Sequence, residues 1–229
     1  MTSSLSFANM SLIVTAGPTR EWIDPVRFIT NASSGKTGFE VATAGLHRFK
    51  EVIYIAGQCE SAYRKVEHAN NISVETTADM AKAVLSSISE NSVLIMAAAP
   101  ADFTPTKTNT TKIKKTDNRD NYTIEFTKTI DILKSVGEQA PDTCIRVGFA
   151  AETNNLKEYA LKKLSSKNAH FICGNTVFKN ETGFGETENT LHLFNHSQNE
   201  VIIGPLRKSE LAKSLLDELE HQISKIDLL

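Results

Sequence analysis

The chain has 229 residues, 40% of them hydrophobic and 23% charged, with a formal net charge of -2. Its length allows a sizeable buried core, and its composition is that of a soluble globular protein. The near-neutral balance excludes a polyanion binder acting through overall charge, so neither nucleic acid nor an anionic membrane surface is expected as a partner.

The opening MTSSLSFANM has no basic flank followed by a long apolar run. No stretch approaches the roughly 18 apolar residues of a membrane span, and the chain reads as cytoplasmic. Residues 12–16 form a first apolar strand that ends at Gly17-Pro18. A segment with Arg20 and Arg27 follows, and then Asn31-Ala32-Ser33-Ser34-Gly35-Lys36 opens a helix over 36–49. Residues 51–56 and 72–75 read as strands, 77–88 as a helix, and 93–98 as a fully apolar strand. Residues 104–121 hold almost no apolar side chains and read as a long mobile flap over a site. Strand 144–150, helix 154–166 and strand 169–173 restore the rhythm. Residues 190–194 and 200–203 suggest a hairpin, and 207–223 a final helix striped with Leu211, Leu215, Leu216, Leu219 and Ile223. Such alternation predicts a Rossmann-like, mostly parallel α/β sheet with helices on both faces, plus a C-terminal hairpin. With no repeat and no Pro- or Gly-rich linker, residues 1–229 read as one domain. Cys59, Cys144 and Cys173 form no CxxC pair and read as buried thiols in a reducing compartment.

In an open parallel sheet, ligands collect beyond the carboxyl ends of the strands. Those ends carry Gly17 and residues 31–36, then Ala97 to Asp102, then Ala150 to Thr153, then Gly174 and Asn175. Small residues there let a phosphate or a flat base approach the backbone closely. The 31–36 turn lacks P-loop spacing, so a helix N-cap built from Ser33 or Ser34 competes with a phosphate cradle. Asp102 fits either a turn cap or a ligand contact. Lys112, Lys114 and Lys115 form either a solvated cluster or part of a working flap, while surface charge is the plain reading of Lys163 and Lys167. No HxH or HExxH spacing occurs among the six histidines, so a metal site made of protein ligands is not expected.

Together, TAGPTREWIDPVRFITNASSGKTGF, AAAPADF, KIKK, DILK, GFAAET and KNAHFICGNTV resemble the phosphopantothenate–cysteine ligase family of coenzyme A biosynthesis, in its order and spacing. The resemblance runs from Thr15 to about Val177. The short stretch before the first strand suggests the free-standing bacterial form. The resemblance implies ligation of 4'-phosphopantothenate to L-cysteine with CTP, through an acyl-cytidylate, releasing pyrophosphate and CMP. It implies Asn31 at the acyl-nucleotide intermediate and Lys112 on the flap as catalytic residues. Met96, Ala97, Ala98, Asp102, Lys112, Ile130, Asp131, Ile132, Leu133, Phe149, Lys163 and Lys167 match positions that enclose CTP. Arg27, Ser33, Ser34, Gly35 and Asn175 are the expected substrate contacts. Mg²⁺ is expected on the nucleotide phosphates. A homodimer with a shared active site is implied by the family alone. Departures from the family pattern fall at Ala32, Pro100, Ile130 and Gly174-Asn175-Thr176. Two rivals from other classes are a nicotinamide-dependent oxidoreductase, which the missing GxGxxG disfavours, and a non-catalytic nucleotide sensor.

Overall fold

A computed structural model describes residues 6–114, 121–152, 154–176 and 188–225. In chain order the elements are β1 (Ser11–Ala16), β2 (Arg20–Asp24), β3 (Arg27–Thr30), α1 (Lys36–Gly45), β4 (Glu51–Ala56), β5 (Asn70–Ser73), α2 (Thr77–Ser87), β6 (Ser92–Met96), β7 (Phe103–Pro105) and β8 (Phe126–Lys128). They continue as α3 (Ile132–Gln139), β9 (Ile145–Glu152), α4 (Leu156–Ser166), β10 (Phe171–Thr176), β11 (Asn189–Asn195), β12 (Glu200–Leu206) and α5 (Lys208–Ile223).

The main sheet has eight strands in the order β12-β11-β10-β9-β6-β1-β4-β5. Strands β5 to β10 of that order run parallel, and β11 and β12 close the far edge antiparallel. Parallel strands covered on both faces are largely apolar, which is why β1 centres on the run Leu12-Ile13-Val14. Alternate residues then go to opposite layers. Leu12, Val14 and Ala16 pack with Val41 of α1 and Leu215 and Leu219 of α5. Ile13 packs on the other face with Met80 and Val84 of α2 and Val136 of α3. A third cluster sets Ile172 and Phe194 against Ala160 and Leu164 of α4. All three cysteines are buried thiols without a disulfide, as the sequence suggested, and burial pushes each thiol's pKa up.

Several boundaries moved for identifiable reasons. Helix α1 stops at Gly45 rather than 49, because a tight turn brings Phe49 to stack on Phe7, 4.1 Å between ring centroids. Strand β5 begins at Asn70, where the Asn71 side chain bonds the carbonyls of Val66 and Ala69 and organises the strand's entry. Strand β6 ends at Met96 although Ala97 and Ala98 are as apolar, because the Ala98 N–H turns to the Thr15 hydroxyl. The sequence reading did not anticipate the ribbons β2–β3 and β7–β8, or helix α3. Of the expected flap, residues 106–114 are irregular chain beyond β7, while 115–120 lie outside the described residues, as do Lys115, Thr153 and Val177. Among the described residues no helix is long and apolar enough to cross a membrane.

Candidate functional site

The strand order reverses between β1 and β6, which opens a crevice at their carboxyl ends. One wall is the segment after β6. Its amides are fixed by side chains from neighbouring elements: Ala98 N–H to Thr15 Oγ1 at 3.2 Å, and Ala101 N–H to Thr19 Oγ1 at 2.9 Å. Ala99 N–H donates to the Gly17 carbonyl at 2.9 Å, and the Ala101 carbonyl accepts from Thr77 and Thr129 hydroxyls. A segment tied down at this many points is rigid enough to orient a ligand.

The facing wall is the turn into α1. Gly35 caps this helix with φ +87°, in the left-handed region that glycine adopts without strain. It contributes no side-chain cap, and Lys36 N–H meets the Ser34 hydroxyl at 3.3 Å. Glu60 N–H holds the Ser34 carbonyl at 3.0 Å, fixing the turn from the loop after β4. Gly38, one turn on, lies so close to β1 that a Cβ would sit 2.6 Å from that of Ala16. The start of α1, where a helix favours anions, is therefore held against the sheet.

Two cavities occupy the crevice. The first, about 300 Å³, is lined by Ser33, Ser34, Gly35 and Lys36, by Ala97, Ala98 and Ala99, and by Asn175. Its far side is Asn189, Leu191, Lys208, Leu211, Ala212 and Leu215, from β11 and α5. The second, about 410 Å³, is lined by Met96, Ala98, Ile130, Asp131, Ile132, Leu133 and Lys167. Ala98, Asp102, Phe149 and Lys163 line both, so the two cavities share a wall. Both lysines meet carboxylates: Lys163 Nζ lies 3.1 Å from Glu152 Oε1, and Lys167 pairs with Asp131. Burial works against the charged form of Asp131, but the bond from Lys167 and the Lys134 N–H outweigh it and hold its pKa below the ordinary value.

The expected site residues therefore divide. Ser33, Ser34, Gly35, Ala97 and Asn175 line the first cavity. Met96, Ile130, Asp131, Ile132, Leu133 and Lys167 line the second, and Ala98, Asp102, Phe149 and Lys163 face both. Asn31 sits at the seam, where its Nδ2 donates to the carbonyls of Ala99 (3.3 Å) and Pro100 (3.0 Å) and ties the two walls together. Asn31, Arg27 and Lys112 line neither cavity. Arg27 pairs with buried Asp24 at 2.7 Å and reaches the Ile113 carbonyl at 3.3 Å. Arg20 stacks over Phe28, 4.4 Å from the ring centroid. Sequence reasoning missed Lys208 and the α5 wall, whose stripe looked purely structural. It also gave Glu152 no role, although that residue closes a strand in a motif it had singled out.

This arrangement is a Rossmann-like α/β fold with an open crevice at the strand-order reversal. The chain belongs to the DNA/pantothenate metabolism flavoprotein C-terminal domain family, whose model matches residues 7–223. It is 40% identical over 208 residues to the coenzyme A biosynthesis bifunctional protein CoaBC of Bacillus subtilis, covering 91% of this chain and 50% of the relative. Against CoaBC of Escherichia coli strain K12 it is 38% identical over 213 residues, 92% of this chain and 52% of that protein. The chain thus spans about half the length of these relatives. A crystal structure of the CoaBC C-terminal domain superposes with a TM-score of 0.78 at 35% identity, covering 98% of this chain and all of that one. A Cab2 mutant in complex with phosphopantothenate-cysteine shares the fold, with a TM-score of 0.74 at 15% identity over 95% of this chain and 87% of that one.

Proposed function

We propose that this chain joins 4'-phosphopantothenate to L-cysteine at the expense of CTP. The observation that carries the reading is the shared wall of Ala98, Asp102, Phe149 and Lys163 between two cavities. An acyl donor in one and a nucleotide in the other would have their reacting ends meet there, and holding two reactants in register removes much of the entropic barrier. The names of the CoaBC relatives and the product bound to Cab2 support the same chemistry.

In the first step a carboxylate oxygen attacks the α-phosphorus, the bond to the β-phosphate oxygen breaks, and pyrophosphate leaves. Two anions approach each other, so the site must supply positive charge and N–H donors. The Ser33 to Lys36 turn receives the phosphate of phosphopantothenate, with Lys208 opposite. Lys163 and Lys167 face the nucleotide. In the second step the cysteine amine attacks the acyl carbon, the C–O bond to CMP breaks, and the amine loses a proton. Asn31 keeps the two walls in register, and its amide would leave the Ala99 and Pro100 carbonyls to donate to the acyl oxygen; Lys112, on the flap, assists the departure of CMP.

Mg²⁺ suits this donor set. The Asp102 carboxylate faces both cavities and has no side-chain partner among the described residues, and Mg²⁺ favours one or two carboxylates combined with substrate phosphates. Bound there, the ion would offset the triphosphate's charge. The family resemblance supports a homodimer that shares the site. Exposed Val26, Phe103 and Phe126 on the two small ribbons, and Ile202 on edge strand β12, are candidate contacts.

Pyrophosphate release tests the reading. It should require both CTP and 4'-phosphopantothenate, with CMP and the amide product appearing only when cysteine is added. Pyrophosphate release indifferent to 4'-phosphopantothenate, or none at all, would defeat it.

A further inference from the structure

We propose that Glu152 and Asp131 are built-in counter-anions that compete with nucleotide phosphates for Lys163 and Lys167 and so keep nucleotide binding weak enough for turnover. The inference rests on the reading of the second cavity as the nucleotide pocket. Both lysines belong to one end of α4, four residues apart, where side chains share a helix face. Each is held from a different element: Lys163 by Glu152 at the end of β9 (3.1 Å), Lys167 by Asp131, the N-cap of α3. A carboxylate in that position occupies one of the ammonium's three N–H donors and cancels its charge. A phosphate taking either lysine must displace the carboxylate or share the ammonium with it. Once displaced, the carboxylate remains beside the phosphate as a like charge.

The stabilising value of such pairs is small. Side-chain exposures of 36% for Lys163 and 22% for Glu152, and of 24% for Lys167 and 44% for Asp131, put them among the weakly contributing half-exposed pairs. Their position, on the two lysines that line the cavity with Asp102 and Phe149, is where they alter ligand binding. A ligase of this kind must release a nucleoside monophosphate and pyrophosphate after each cycle. A carboxylate ready to reclaim each lysine favours that release.

The sign of the effect distinguishes this role from a structural one. Glu152→Gln keeps side-chain length and a carbonyl acceptor for Lys163. Asp131→Asn keeps the oxygen that caps α3 through Lys134 N–H, since asparagine caps as well as aspartate. Calorimetric titration of the full chain with Mg²⁺ and CTP, and separately with CMP, should show each variant binding about 1.5- to fivefold more tightly than wild type, the range expected for removing a half-exposed competing charge. The KM for CTP should fall with it. Equal or weaker binding in a variant that melts like wild type would overturn the inference and make that carboxylate a support for the lysine or for the metal. If one variant fails to fold, the other decides. Failure of the wild-type chain to bind CTP would remove the nucleotide reading and this inference with it, whereas CTP binding with unchanged affinity in the variants removes the inference alone.

Discussion

At the scale of single side chains, buried polar groups on the flap side are bonded to the elements they join. Asp24 is buried and accepts from Val26 N–H at 2.9 Å, Ile113 N–H at 3.1 Å and Arg27 Nη1 at 2.7 Å. It thereby fastens the chain at Ile113, next to Lys112, to the β2–β3 turn. Burial opposes its ionisation, but those donors and the guanidinium prevail and hold its pKa below the usual carboxylate range. A depressed folded pKa gives stability that is present above the unfolded value of about 3.9 and is lost as pH falls through the folded value. Asp24→Asn should therefore lower the denaturation midpoint at pH 7, with a deficit that narrows below about pH 4 as the wild-type carboxylate also protonates. Urea titrations at the two pH values check this; a deficit independent of pH would mean that the charge is immaterial. Arg27 is the other half of this anchor, which gives the arginine expected at the substrate a visible second job.

At the scale of elements, the proposed reaction assigns its working parts to the flap and the turn into α1. In the proposed reaction a closing segment would keep an acyl-phosphate from water until the amine arrives, and Lys112, exposed on irregular chain beside the Ile113 anchor, is the lysine we place on it. Lys112→Gln should allow the acyl-cytidylate to form but slow its consumption, read by single-turnover quench with cysteine added last. Normal clearance of the intermediate would rule the flap role out. How much of this was legible in the sequence differs by element. Strands β1, β4 and β6 were plain because burial on both faces favours a largely apolar run. Helix α3 was missed because it is short and carries Gly137, although Asp131 at its N-cap and buried Ile132 and Val136 four apart gave a signal. Ribbon β2–β3 was hidden by its arginines: Arg20 lies over Phe28, and Arg27 closes the turn on Asp24. The small residues of residues 97–102 and the turn into α1 could be read as site walls, because strand ends in a parallel sheet converge. The contribution of α5 could not, since its apolar stripe has the same pattern whether it faces only a core or also a cavity. Nor does a sequence show which lysine meets which carboxylate across elements.

At the scale of the whole molecule, the parallel strands divide at β1 and β6, with α1 and α5 on one face and α2 and α3 on the other. That division puts the α1 turn beside the first cavity and the α3 cap beside the second, with the segment after β6 between them. The proposed reaction depends on this adjacency. A crystal structure of the protein grown with CTP, Mg²⁺ and 4'-phosphopantothenate, and without cysteine, tests it most directly. It should show the pantothenate phosphate against Ser33 to Lys36, cytidine between Met96 and residues 130–133, and the acyl-phosphate link beside Asp102 and Lys163. A nucleotide bound away from Phe149 and Lys163, or the two ligands in crevices with no common wall, would contradict it.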